Sequence, residues 1–248
     1  MNKNKINDLT QIAINASIKA GNLLTKKIKE PKDIHSSIGR DIKLEVDFES
    51  EKLISEYLIK NSIFPVLGEE LGANKKLGNT FWVVDPLDGT ANFYRNIPIS
   101  CISIALVTDL DPIIGVIYDF NNKDLYVGSI KSSAKLNGKN IRVSNIKDKS
   151  QSILISGLPV NTDYSNKSMK KFIEDLKNWK KVRMLGSAAI AAAYVASGRA
   201  DAYKESRTNL WDVAAGVAIV RAAGGKATIK DINKDYSLDI SISNNFLE

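Results

Sequence analysis

A chain of 248 residues, 44% apolar and 25% charged, holds enough apolar material for a substantial core, which excludes disorder as a whole-chain description. Its 35 Lys and Arg against 28 Asp and Glu leave a net charge of +7 that suits an anionic small molecule; with no dense basic arm and no zinc-ligand spacing, nucleic acid is disfavoured as a partner. Cys101 as the single cysteine excludes an intrachain disulfide, and His35 as the single histidine leaves little material for a histidine zinc site or a Ser-His-Asp triad.

The opening residues carry no signal-type apolar core, and the longest apolar runs, 188–196 and 213–220, fall short of the about 18 residues that suggest a membrane span. A cytoplasmic protein without a membrane partner is expected. Ile6, Leu9, Ile12, Ala13, Ala16, Ala20, Leu23, Leu24 and Ile28 keep helical spacing, and Pro31 follows the end of that helix. Ser36, Ser37 and Gly39 among charges make 33–43 a loop or a loose hairpin. Asp47 begins a second helix whose inward face includes Phe48, Leu53, Ile54, Tyr57 and Leu58; a carboxylate near a helix amino end serves as a cap without further function.

A short strand at 64–67 leads into Gly68-Glu69-Glu70, and a strand apolar on both faces at 81–84 ends at Asp85. Pro86 removes a donor and fixes one backbone angle, so a turn is expected that swings Asp88 back beside Asp85. Two such carboxylates repel unless they share a proton or a cation, and oxygen ligands favour magnesium or calcium. Gly89 lets backbone approach a ligand, while Thr90 offers a hydroxyl and amides suited to an anion. If the two strands are neighbours, Glu69 faces the pair. Strands at 99–108, 113–119 and 124–130 follow, with an Asn137-Gly138 turn after them.

The second half alternates strand and helix: 152–156, then a helix at 168–179, a strand at 182–185, and an alanine-rich helix opened by Gly186-Ser187-Ala188. Free amides at that opening suit a polar oxygen, and tight helix packing explains the small residues equally well. A strand at 200–204 has Glu205 and Arg207 at its exit, and the last helix runs from Leu210 to Ala223 with Asp212 in its first turn. Residues 1–150 thus read as an α+β half and 151–248 as an α/β half that completes the site, packed as one unit. If the last helix starts opposite Asp85, then Glu69, Asp85, Asp88 and Asp212 form one cation site.

Taken together, Gly68-Glu69-Glu70, the run from Asp85 to Asn92, Gly186-Ser187-Ala188, the run from Gly198 to Tyr203 and the run from Trp211 to Gly216 resemble, in order, the inositol monophosphatase family. The resemblance covers nearly the whole chain and implies a layered α-β-α-β-α sandwich in a phosphatase. By it, Glu69, Asp85, Asp88, Asp212 and the Leu87 carbonyl hold two or three Mg²⁺ ions. Glu69, Asp47 and Thr90 are the catalytic set, with Asp47 and Thr90 orienting or activating the attacking water. Amides at Gly89 and Thr90 cradle phosphate, and Asp88, Gly186, Ser187, Ala188 and Glu205 meet the substrate.

Lys204 and Arg207, beside Glu205, are candidates for reading an additional anionic group. The implied partner is a small phosphorylated metabolite, with inositol monophosphate leading and fructose 1,6-bisphosphate, histidinol phosphate and 3',5'-bisphosphonucleotides as alternatives. A homodimer is implied in the same way, and a regulatory or RNA-associated binding protein is the non-enzymatic alternative. Two departures stand out: Leu44 where relatives commonly have Thr, and Ala222 where many have Glu.

Overall fold

The structure is a computed structural model that describes residues 1–39 and 41–247. Helix α1 (Lys3–Lys27) starts at Asn2, whose side chain accepts from Lys5 N, and it buries the stripe Ile6, Leu9, Ala13, Ala16, Ala20 and Leu24. The hairpin β1 (Ile34–Ile38) and β2 (Asp41–Leu44) feeds α2 (Glu45–Asn61). Helix α2 starts two residues earlier than the sequence suggested, so Asp47 is its third residue. Its fully buried face is also rotated: Val46, Asp47, Ser50, Glu51, Ile54 and Leu58 point inward, and Phe48, Leu53 and Tyr57 are only half-buried.

Next come β3 (Val66–Gly68), β4 (Gly72–Ala73), β5 (Thr80–Asp88), α3 (Thr90–Tyr94), β6 (Cys101–Thr108), β7 (Asp111–Asp119), β8 (Asp124–Ser129), β9 (Ser132–Leu136) and β10 (Lys139–Asn140). These strands form one sheet ordered β10-β9-β8-β7-β6-β5-β3-β4, in which β3 and β5 are parallel. The remainder is β11 (Ile153–Ser156), α4 (Asn166–Leu176), β12 (Lys181–Arg183), α5 (Ala188–Ala196), β13 (Ala202–Asn209), α6 (Leu210–Ala222), β14 (Lys226–Lys230) and β15 (Ser237–Ser243). Its sheet runs β12-β11-β13-β15-β14, parallel through β13 and antiparallel beyond. Strands β4, β9, β10, β14 and β15 lie outside the strands that the sequence predicts. The period-two pattern that marks β15 was nevertheless present, since Leu238, Ile240 and Ile242 are its buried positions.

Alternation along β5 explains the layering. Trp82 and Val84 belong to a core shared with α1 and α2, whereas Phe81 and Val83 face the core of α5, α6 and the inner side of the smaller sheet. On that sheet's outer side, Leu154 and Ala202 pack with Trp179 and Leu176 of α4. The order of layers is therefore α1/α2, large sheet, α5/α6, small sheet, α4, an α-β-α-β-α sandwich. Helix α6 lies close on β7 because position 115 is glycine: a Cβ there would stand 2.1 Å from the Ala215 carbonyl oxygen. This contact carries Asp212, at the start of α6, to the acidic end of β5. Among the described residues, no helix is long and apolar enough to cross a membrane.

Candidate metal centre

The strand β5 does not turn at Pro86, as the sequence suggested, but continues to Asp88 through a bulge. Asp85 pairs with Ser103 and Asp88 with Cys101, so three steps on β5 oppose two on β6. In a regular strand, residues three apart point to opposite faces; one inserted residue restores the face. Leu87 accordingly joins the Trp82 and Val84 core, while Asp88 joins Asp85 on the α5/α6 side. Leu87 N donates to Asp85 Oδ1 at 3.0 Å, and Thr90 Oγ1 donates to the Leu87 carbonyl at 3.0 Å. Gly89, at φ +88°, makes the turn from the bulge into α3.

Glu69 follows β3, the parallel neighbour of β5, and its N–H donates to the Val84 carbonyl at 3.1 Å. Asp212 sits in the first turn of α6, where its Oδ2 accepts from Thr208 Oγ1 at 2.7 Å and Asn209 N at 2.8 Å. Carboxylate oxygens of Glu69, Asp85 and Asp212 lie within 4.8 Å of one another, Asp85 buried and the other two partly open to solvent. Asp88 is not in this trio. Its Oδ2 accepts from Ser187 Oγ at 2.6 Å and Ala189 N at 2.7 Å, and its Oδ1 from Ala188 N at 3.2 Å. The amides expected to meet a ligand at the start of α5 are thus directed at Asp88, whose negative charge the helix start favours.

Three polar residues that the sequence reading passed over or left unassigned hold these loops. On one face of α2, Ser50 Oγ donates to the Pro86 carbonyl at 3.0 Å, and Glu51 accepts from Glu70 N at 2.7 Å and Leu71 N at 2.9 Å. Asp47, one turn earlier, accepts from Leu44 N at 2.7 Å. The third is Asn92, whose Nδ2 donates to the carbonyls of Ile99 and Leu185, each at 2.8 Å, tying α3 to the segment before α5. The available signal was phase: Ser50 and Glu51 are polar residues at helical spacing from Ile54 and Leu58, and both are buried.

Burial pushes the carboxyls of Glu69 and Asp85 well above the ordinary range, with repulsion from neighbouring carboxylates adding to it. Asp212 is raised by burial against the pull of its Thr208 and Asn209 hydrogen bonds, and burial takes Asp88 to about 6 despite the Ser187 bond. Anionic oxygens gathered at this cost match a hard divalent cation, whose charge offsets both desolvation and repulsion. The donor set therefore fits Mg²⁺.

Glu205 sits in the middle of β13 rather than at its exit. Its Oε2 accepts from Tyr203 Oη at 2.5 Å, and burial, with Asp212 and Asp88 nearby, raises its carboxyl to about 7. It lines a cleft of about 480 Å³ together with Lys204 and Arg207. Lys204 Nζ is 2.8 Å from Asp175 Oδ2 and lies over the Trp179 ring, so its charge is already engaged; Arg207 is exposed.

A family model described as the inositol monophosphatase family matches residues 5–244. The chain belongs to the inositol monophosphatase family. It is 38% identical over 226 residues to a Xylella fastidiosa protein named Nus factor SuhB, covering 86% of this chain and 79% of that one. It is 36% identical to the inositol-1-monophosphatase of Synechocystis, covering 81% and 70%. The crystal structure of the extragenic suppressor protein suhB from Bartonella henselae superimposes with a TM-score of 0.85 at 31% identity, covering 95% of this chain and 93% of that chain. As a member of the inositol monophosphatase family, the chain is an enzyme of the phosphatase class.

Proposed function

We propose that this protein is a Mg²⁺-dependent phosphomonoesterase acting on a small polyol or sugar phosphate, with inositol monophosphate as the leading substrate. The observation that carries the reading is the convergence of Glu69, Asp85 and Asp212 beside Asp88 and Thr90. Glu69, Asp85, Asp88, Asp212 and the Leu87 carbonyl would hold the metal. When bound, Mg²⁺ would acidify the attacking water and neutralise charge developing on the phosphoryl and leaving oxygens.

The chain's own groups supply orientation. Thr90 spends its hydroxyl proton on the Leu87 carbonyl, so its oxygen is left to accept from a water and to turn that water's lone pair toward phosphorus. Asp47, fixed at the start of α2, is assigned to the same water. Amides at Gly89 and Thr90 would receive the phosphate at the start of α3. Glu205 reads hydroxyls of the alcohol, and Asp88 and the Ala188 segment flank it. Two copies forming a homodimer in the cytoplasm complete the reading.

Phosphate release is measured on inositol 1-phosphate, fructose 1,6-bisphosphate, histidinol phosphate and a 3',5'-bisphosphonucleotide, with Mg²⁺ and with chelator. Activity on at least one, lost in chelator and reduced at least about a hundredfold in Asp85→Asn, is expected. Normal turnover by a folded Asp85→Asn chain would refute the assignment. The Xylella fastidiosa relative's name, Nus factor, supports a second reading as a binding factor. That role would persist in Asp85→Asn.

A further inference from the structure

Gly68-Glu69-Glu70 brings two carboxylates to one loop, and the structure sends them different ways. Glu69 joins Asp85 and Asp212 in the acidic trio. The Glu70 side chain, only 3% exposed, instead meets the Lys43 ammonium, which β2 carries across from the hairpin; Nζ and Oε2 are 2.7 Å apart. A charge-assisted contact of that length, largely shielded from water, directs the Glu70 carboxylate to Lys43. A carboxylate so buried would cost much more without a partner.

The ion pair is not what shapes the loop. The main chain there is already fixed, by Glu69 N on the Val84 carbonyl at 3.1 Å and by the amides of Glu70 and Leu71 on Glu51. What Lys43 adds is charge, one residue along the chain from a carboxylate of the trio. Burial raises the carboxyls of Glu69 and Glu51, and Lys43 pulls both back down. The same positive charge repels a divalent cation placed between Glu69, Asp85 and Asp212.

Taking the acidic centre as the Mg²⁺ site of the phosphomonoesterase reading, we propose that Lys43 is a built-in cation of that centre, a positioning residue that neutralises Glu70, keeps its carboxylate out of the ligand set and holds Mg²⁺ affinity down. The two side chains then act as a unit. Loss of Lys43 alone presents an extra anion to the metal, loss of Glu70 alone leaves an uncompensated ammonium beside it, and loss of both restores the balance.

The test is Mg²⁺ binding by isothermal titration calorimetry to wild type, Lys43→Met, Glu70→Gln and the double variant, each first checked in chelator for a cooperative melting transition. Lys43→Met is expected to bind Mg²⁺ at least about threefold more tightly than wild type and Glu70→Gln at least about threefold more weakly, with the double variant within about twofold of wild type. Lys43→Arg keeps the charge and should keep the wild-type affinity. A tie that only held the hairpin in place would weaken binding in both single variants, with the double no better than either. That pattern, or affinities unmoved by any of the substitutions, overturns the proposal and leaves the Mg²⁺ centre standing. If Glu70→Gln does not fold, the comparison of Lys43→Met with Lys43→Arg decides, and equal affinities overturn the proposal. Absence of Mg²⁺ binding in wild type and every variant overturns the metal reading and the proposal together.

Discussion

Replacing Glu51 tests whether α2 holds the acidic loops in place. Its carboxylate is 1% exposed and accepts from the amides of Glu70 and Leu71, the two residues that follow Glu69. In Glu51→Ala both amides lose their acceptor in a half-buried setting, at about 1–3 kcal/mol each. Burial raises the Glu51 carboxyl, so relief of that desolvation returns part of the loss, leaving a net cost of roughly 1–5 kcal/mol. At about 2–4 °C per kcal/mol for a chain of this size, the melting midpoint should drop by roughly 2–20 °C. A loosened Glu69 should also raise the Mg²⁺ concentration for half-maximal phosphate release, by about tenfold or more. Glu51→Gln keeps one carbonyl acceptor and should fall between the two. Differential scanning calorimetry and Mg²⁺ titrations check this; an Ala variant that melts within about 1 °C of wild type with an unshifted Mg²⁺ dependence would refute the reasoning.

The same contact predicts an interaction between two substitutions. A Cβ on Gly68 would lie 1.9 Å from Glu51 Oε1, so Gly68→Ala should damage stability in the wild-type chain and cost much less in the Glu51→Ala background; additive losses in the double mutant would contradict this. A pH dependence follows from Glu205, raised from 4.5 to about 7. The folded state then holds its proton more tightly than the unfolded state. Its contribution to stability is fully present below pH 4.5 and is lost as pH rises through 7. In chelator, wild type should therefore lose ground to Glu205→Gln between those limits, and a difference in melting midpoint that stays flat across the window would count against the raised carboxyl.

The sequence carried the information that is local or periodic. An apolar run too short for a helix and ending in Asp85 marks a strand buried on both faces, and residues at helical spacing mark α1 and α6. The ordered acidic motifs sufficed for the family, because residue types at fixed separations survive without knowledge of how the loops meet. The tertiary structure decided what depends on pairing. Whether Asp88 shares a face with Asp85 is set by β6, whose register forces the bulge; Pro86 read alone suggests a turn. Glu51 looks like one charge among many until α2 is seen to present it to the amides of Glu70 and Leu71. Lys204 looked free to bind an anion until α4 brought Asp175 against it. A side chain's partners lie across the sheet or on another helix, and the distance along the chain between them carries no record of that contact.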